Sequence, residues 1–191
     1  MLYYFLIFLM IIIGFIGVFF LLRSIVIIFS LFTSAPYVPL EKYLIKESTR
    51  FLSLKRGDRF VDIGSGDGRV VFWVAKNYPE VEYCKGIEIS LLLNLASRFL
   101  RLFSCNKERI VFERRNAFKC DFRKENKVFI YLLKDTVDKL MPVLEKQLPS
   151  GAKVVSPLFT IDQKYEKSGD LSVKEVIFRG KIRKIYIWTK K

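Results

Sequence analysis

The alternation of apolar and polar positions divides the chain before any single residue type is weighed. Leu2 to Leu22 carries no charged residue. At ~1.5 Å per residue, a helix of that length spans about 31 Å, close to the ~30 Å hydrocarbon core of a bilayer. The run exceeds the ~7–15 residue core of a signal peptide, with no positive region before it and no A-x-A-like site after it. Arg23 interrupts it, and Ile25 to Phe32 is apolar again but too short to cross alone. The pattern predicts a transmembrane anchor over residues 1–32 and one further domain over 33–191. Arg23, Lys42 and Lys46 follow the span and no Lys or Arg precedes it. The positive-inside bias therefore places the second domain on the cytoplasmic side, or the matrix side in a mitochondrion.

Beyond the anchor the period changes. "TSAPYVPLEKYL" reads as an extended link, because Pro36 and Pro39 each disfavour helix in the residue before them. Leu40, Tyr43, Leu44, Phe51 and Leu52 then recur at helical spacing. Strands are expected at Phe60–Ile63, Val81–Ile89, Ile110–Glu113 and Val128–Leu133, with a fifth after the Gly151 turn. Helices are expected at Arg69–Asn77, Leu91–Phe103 and Thr136–Leu148. Ser90 is placed to cap the second of these. That helix is apolar nearly all round, which suits a core position first and a membrane surface second. "RGD" at Arg56–Asp58 is a turn. Leu171–Phe178 and Ile182–Trp188, joined at "RGK", form a hairpin. Strands alternating with helices imply an α/β domain built on a parallel sheet.

Composition narrows the chemistry. The chain has no histidine, which removes a His general base, a Ser-His-Asp triad and any His-bearing zinc site. Three scattered cysteines without a C-x-x-C suit reduced core residues and leave no metal site. The formal charge of +14 is spread along the chain, not gathered in a block. Attraction to anionic lipid is its simplest use in a tethered domain, ahead of nucleic acid as the main partner.

The candidate chemistry lies in "VDIGSGDGR", Val61 to Arg69. A glycine-rich turn after the first strand of such a sheet lets backbone approach a nucleotide-like ligand. Gly64 and Gly66 open a dinucleotide fingerprint, but Arg69 stands where its third glycine belongs, and no Gly-Lys-Ser/Thr phosphate loop follows. S-adenosylmethionine suits the loop better. It has no phosphate, and it needs acids for its amino group and its ribose hydroxyls. Asp62 ends the first strand, and Glu88 ends the second in "KGIEIS", where it can accept both ribose hydroxyls. Asn116, after the third strand, can bond the adenine amino edge.

These residues resemble class I S-adenosylmethionine-dependent methyltransferases. The likeness is strongest to the membrane-anchored protein-lysine methyltransferases that act on ATP synthase subunit c and the adenine nucleotide translocase, together with their prokaryotic relatives. "APYVPLEKYL", "VDIGSGDGRVV", "GIEIS" and "VFIYLLKDT" followed by "LPSGAKVVS" carry it, from about Ala35 to Ser156. The resemblance implies a Rossmann-like seven-stranded sheet closed by an antiparallel C-terminal hairpin. It implies cofactor contacts from Tyr37, Asp62, Gly64, Ser65, Gly66, Gly68, Glu88 and Asn116. It also implies a protein substrate bearing a target lysine, in or near the membrane. "TIDQKYEKSGDLSVKE", after the fifth strand, departs from the family.

Two residues are candidates for the methyl-transfer step. Tyr131 ends the fourth strand, where its ring can line a channel for the amine. Asp67 either orients the amine or caps the helix that follows. "IYLLKD" has no amide or acid at the strand tip, which argues against base or glutamine methylation. A lipid or other hydrophobic acceptor, and a non-catalytic cofactor-binding adaptor, are the alternatives.

Overall fold

The apolar segments pair into one sheet of seven strands, seen in a computed structural model that describes residues 2–31 and 38–191. The strands are β1 (Arg59–Ile63), β2 (Tyr83–Glu88), β3 (Ile110–Arg114), β4 (Lys127–Ile130), β5 (Lys153–Pro157), β6 (Gly169–Phe178) and β7 (Lys181–Lys190). The helices are α1 (Leu2–Leu31), α2 (Lys42–Phe51), α3 (Arg69–Asn77), α4 (Leu91–Leu102) and α5 (Lys134–Gln147). The order β3-β2-β1-β4-β5-β7-β6 is the seven-stranded arrangement expected, with β1 to β5 parallel and β7 antiparallel to both neighbours. Order reverses between β1 and β4, and open α/β sheets bind ligands at the strand C-termini beside such a switch point.

Residues 1–38 and 39–191 form two separate units. In the first, α1 runs as one helix through Arg23, and Tyr3–Ser24 is long and apolar enough to cross a membrane. The Ser24 hydroxyl bonds the Phe20 carbonyl, so this polar side chain is satisfied inside the helix.

In the second unit, two apolar layers sandwich the sheet. One gathers Leu44, Ile45 and Leu52 with Val70, Val71, Val74 and Ala75 of α3, over Phe60, Ile110 and Phe129. The other packs Val137, Leu140, Met141 and Leu144 of α5 over Val61, Ile63, Val128 and Ile130. The hairpin seals the sheet by burying Trp188, whose indole N–H donates to the Tyr165 carbonyl at 3.0 Å. Arg179 and Gly180 both take positive φ at its tip, as a two-residue hairpin turn requires.

Several expectations change. β4 stops at Ile130 and α5 begins at Lys134, so Tyr131 to Leu133 form a loop on the site edge and not strand. β2 begins at Tyr83, two residues later than its apolar pattern suggested. The larger correction concerns α4. Its buried residues are Asn94 and Ser97, while Leu91, Leu92, Leu95, Phe99, Leu100 and Leu102 are exposed. No α4 residue belongs to either apolar layer. Ser90 stands at its N-cap position, but the hydroxyl makes no capping bond. Cys84 and Cys120 are buried free thiols, as a reduced core predicts, whereas Cys105 is exposed.

Candidate active site

The glycine loop is shaped from both sides. Gly64, Gly66 and Gly68 all have positive φ, at 79°, 55° and 82°, a region L side chains occupy only at a cost. A Cβ on Gly64 would stand 2.5 Å from Leu132 Cδ2, and one on Gly68 would meet the Phe112 ring. The loop hangs from β2: the Gly64 and Ser65 N–H groups both donate to the Ile87 carbonyl, at 2.8 and 3.0 Å.

Glu88 fixes the same loop with its side chain. One carboxylate oxygen accepts the Gly66 N–H at 2.9 Å, and the other accepts the Ser90 N–H at 2.8 Å. A carboxylate oxygen has two acceptor sites, so each still has one for a hydroxyl. Asp62, 2% exposed, lies on β1 opposite Gly86 of β2. Burial holds its carboxyl well above the usual carboxylate range, and the charges of Glu88 and Asp67 push it the same way. Acids at Asp62 and Glu88 suit the amino group and ribose hydroxyls of a sulfonium amino acid better than a diphosphate.

Asp67 is engaged on two fronts. Its oxygens pair with the Arg69 guanidinium at 2.7 and 3.0 Å, and Oδ1 also accepts the Arg69 N–H at 3.2 Å at the start of α3. Arg69 also donates to the Leu40 carbonyl, fastening the segment before α2 to the loop. Asn116 holds a turn, its Oδ1 accepting the Phe118 N–H at 3.0 Å; a second acceptor site on that oxygen is what an adenine amino group would use. Tyr131 is half-buried, its ring 5.4 Å from Phe159, and burial raises its phenol while the Arg183 charge lowers it. Arg183 in turn lines an open pocket of about 520 Å³ with Leu158, Glu175, Ile182, Lys184 and Tyr186.

The structure therefore brings Asp62, Gly64, Ser65, Gly66, Gly68 and Glu88 around one loop, with Asn116 and Tyr131 following neighbouring strands at the same edge. Tyr37 lies outside the described residues. Sequence reasoning missed Gly86 as a site residue. A Cβ there would stand 2.6 Å from the Phe112 ring and 2.7 Å from Ser65 Oγ. The glycine two residues before the strand-end acid in "KGIEIS" is the signal that could have found it. It also missed Leu132, which roofs Gly64.

The residues present fit S-adenosylmethionine. A Cβ on Gly64 or Gly68 would collide with Leu132 or Phe112, so the loop takes this close backbone course only with glycine there, and the buried Ser65 hydroxyl has no hydrogen-bond partner among the described residues. Comparison with known proteins decides the matter: the model of the ANTKMT methyltransferase domain matches residues 62–167. The chain belongs to this methyltransferase family. Among curated relatives of this ANTKMT-family member is a protein-lysine N-methyltransferase of Saccharolobus islandicus (strain REY15A). It is 30% identical over 132 residues, covering 66% of the chain and 78% of the relative. The adenine nucleotide translocase lysine N-methyltransferase of Mus musculus is 32% identical over 113 residues, covering 58% of the chain and 48% of the relative. The chain thus spans about half the length of that mouse relative. Among solved structures, an RNA methyltransferase from Salinibacter ruber in complex with S-adenosyl-L-homocysteine superposes with a TM-score of 0.70. It is 28% identical, and the match covers 80% of this chain and 94% of that one. Fold and family together make the protein a class I S-adenosylmethionine-dependent methyltransferase.

Proposed function

We propose that the protein is a membrane-anchored protein-lysine N-methyltransferase whose acceptor lies in or near the same membrane. The observation that carries this reading is the acidic, glycine-lined loop from Asp62 to Gly68, closed by Glu88, within the segment matched by the family model. Two relatives bear the name lysine N-methyltransferase, and α1 supplies a stretch able to span a bilayer. Tethering raises the effective concentration of any target sharing that membrane.

Bound S-adenosylmethionine supplies an electrophilic methyl group on a sulfonium sulfur. Asp62 accepts from the cofactor's amino group, Glu88 takes the ribose hydroxyls on its two remaining acceptor sites, and Asn116 meets the adenine edge. Gly64, Gly66 and Gly68, with Ser65 between them, let the backbone close on the amino-acid part. Tyr37 belongs to the same set by resemblance. Tyr131 lines the path of the incoming amine, its ring face suited to a cation. Asp67, through Arg69, holds the loop in register with the segment before α2, so its role is positioning. The lysine must arrive neutral, and burial beside a cationic cofactor favours loss of its proton. Holding amine and methyl in line can supply up to ~7–11 kcal/mol of the barrier.

The test uses the full chain in detergent micelles. S-adenosylmethionine is titrated by calorimetry against the parent and Asp62→Ala. The protein is then incubated with tritium-methyl cofactor and membranes, and the labelled proteins are hydrolysed for amino-acid analysis. Saturable binding that weakens about 10–100-fold in the variant is expected, since a hydrogen bond to a charged group contributes ~1.5–3 kcal/mol. Label is expected in methyl-lysine. Label recovered only in lipid or RNA, with binding intact, would overturn the acceptor assignment.

A further inference from the structure

α4 is built in reverse for a helix of a water-soluble domain. It meets the sheet through Asn94 and Ser97 and turns its leucines and phenylalanines outward. Leu95 is 51% exposed, Phe99 61%, Leu102 63% and Phe103 73%. Phe99 and Phe103 lie edge to face with ring centroids 5.2 Å apart, so these two exposed rings form one patch. Ile89, just before the helix and next to Glu88 in the chain, is exposed as well. Apolar residues scattered singly on a surface need no explanation, but a contiguous set marks a site of contact.

The surrounding charge selects the partner. From Ile89 to Lys107 there are three basic residues, Arg98, Arg101 and Lys107, and no acid. From Arg98 to Lys124 there are nine basic residues against three acidic. A second copy of this face would bring like charges together, whereas an anionic surface would complement them. An apolar ridge flanked by Lys and Arg, on a helix lying along a surface, is the pattern of interfacial membrane helices. Position favours the same partner. The candidate span ends at Ser24 and the second unit begins at Pro39. At ~3.3–3.6 Å per residue the chain between them can reach no more than roughly 50 Å, even fully extended.

We propose that the exposed face of α4, centred on Leu95, Phe99 and Phe103, is a lipid-contacting surface that lies in the headgroup layer of an anionic bilayer. The short tether bears on lipid only with α1 as the membrane anchor proposed above. The contact makes the domain a two-point membrane protein, held by its span and by α4. It orients the loop beside Glu88 relative to the membrane, so that acceptors at a restricted depth are presented to it.

The experiment uses the full chain reconstituted in vesicles of phosphatidylcholine with 30% (about one third) phosphatidylglycerol, a fraction chosen because each Lys or Arg near such a surface contributes ~1 kcal/mol. A single fluorescent label is placed by Phe99→Cys, Val173→Cys or Ile13→Cys, each in a Cys105→Ser background. Nitroxide-bearing lipids and a water-soluble quencher are applied separately. Val173, on exposed β6, is the aqueous control. Quenching by nitroxide lipid several-fold stronger at position 99 than at 173, and weaker when phosphatidylglycerol is omitted, is the expected result. Quenching at 99 by the aqueous reagent to the extent seen at 173 overturns the proposal. So does protection at 99 from both quenchers, which would mean that protein covers α4, whether another segment of this chain, a second copy or a protein partner. Lipid quenching at 13 but not at 99 removes the α4 contact and leaves the anchor standing. Lipid quenching at 99 but not at 13 removes the anchor and supports the α4 contact.

Discussion

α3 and α4 are consecutive crossover helices, one leading from β1 to β2 and the other from β2 to β3, and right-handed connections put both on the same face of the sheet. They solve opposite problems. α3 buries Val70, Val71, Val74 and Ala75 and is fastened at both ends. At its start Asp67 accepts the Arg69 N–H, and near its end Arg109 donates to the carbonyls of Ala75, Tyr78 and Val81. α4 buries two small polar side chains against the outer strands. Its Ser97 hydroxyl bonds the Asn94 carbonyl, while Asn94 Nδ2 has no hydrogen-bond partner among the described residues. A helix is placed by the medium on each of its sides. α3 has sheet on one side and water on the other, so its apolar stripe goes inward. The outward apolar face of α4 suits a third medium, and lipid is the one its charges match.

The sharpest way to break this contrast is to put a charge into the buried stripe of α3. Val74 is fully buried, so Val74→Asp strands an unpaired carboxylate among valines. It is expected to cost about 3–5 kcal/mol and to abolish a cooperative thermal transition. A variant that melts within a few degrees of the parent would mean that the α3 layer is loosely packed, and the comparison would lose its fixed half.

The loop that opens α3 offers the next test, because its acids are arranged for a ligand at the expense of the empty fold. The folded protein holds the Asp62 proton more tightly than the unfolded chain, whose carboxyl titrates near ~3.9. As pH rises from there through the raised native value, the unfolded state loses its proton first. Native stability therefore falls across that window. Asp62→Asn is expected to remove this slope, leaving the cofactor-free variant more stable than the parent above the window. Its affinity for S-adenosylmethionine is expected to drop tenfold or more at neutral pH, while the parent's affinity rises with pH through the same window. Thermal melts and titrations across pH check both. A variant that loses stability and keeps its affinity would show that Asp62 is a structural acid.

The same contrast explains what could be read from the sequence. Strand and helix order, the hairpin and the acids at strand ends were legible because the period of apolar residues reports which faces meet the sheet, and turn glycines mark where strands stop. Leu132 and Leu133 read as strand because they extend the apolar run of β4. In the structure Leu132 roofs Gly64 from a loop, a use that no local pattern encodes. Gly86 was hidden for a related reason: it is required by the Phe112 ring and the Ser65 hydroxyl, both distant in sequence. α4 was misassigned because an apolar period shows that a face seeks an apolar medium but not which one. Asn94 and Ser97 at i and i+3 were the sign that its narrow polar seam faced inward.

The smallest expected effect is the most informative for α4. Leu95→Asp changes an exposed residue, so thermal stability in detergent should move by no more than about 0.5 kcal/mol, a small fraction of the cost of Val74→Asp. A core helix would respond to both substitutions alike. The carboxylate introduced at position 95 would instead set a negative charge within the stretch from Ile89 to Lys107, which holds three basic residues and no acid, where an anionic bilayer would repel it. The variant should therefore fold and bind S-adenosylmethionine as the parent does, yet methylate membrane-embedded acceptors more slowly in anionic vesicles than in neutral ones, the reverse of the parent. If Leu95→Asp unfolds the protein, α4 is held by contacts beyond its polar seam, and the outward face belongs to the fold and not to the membrane.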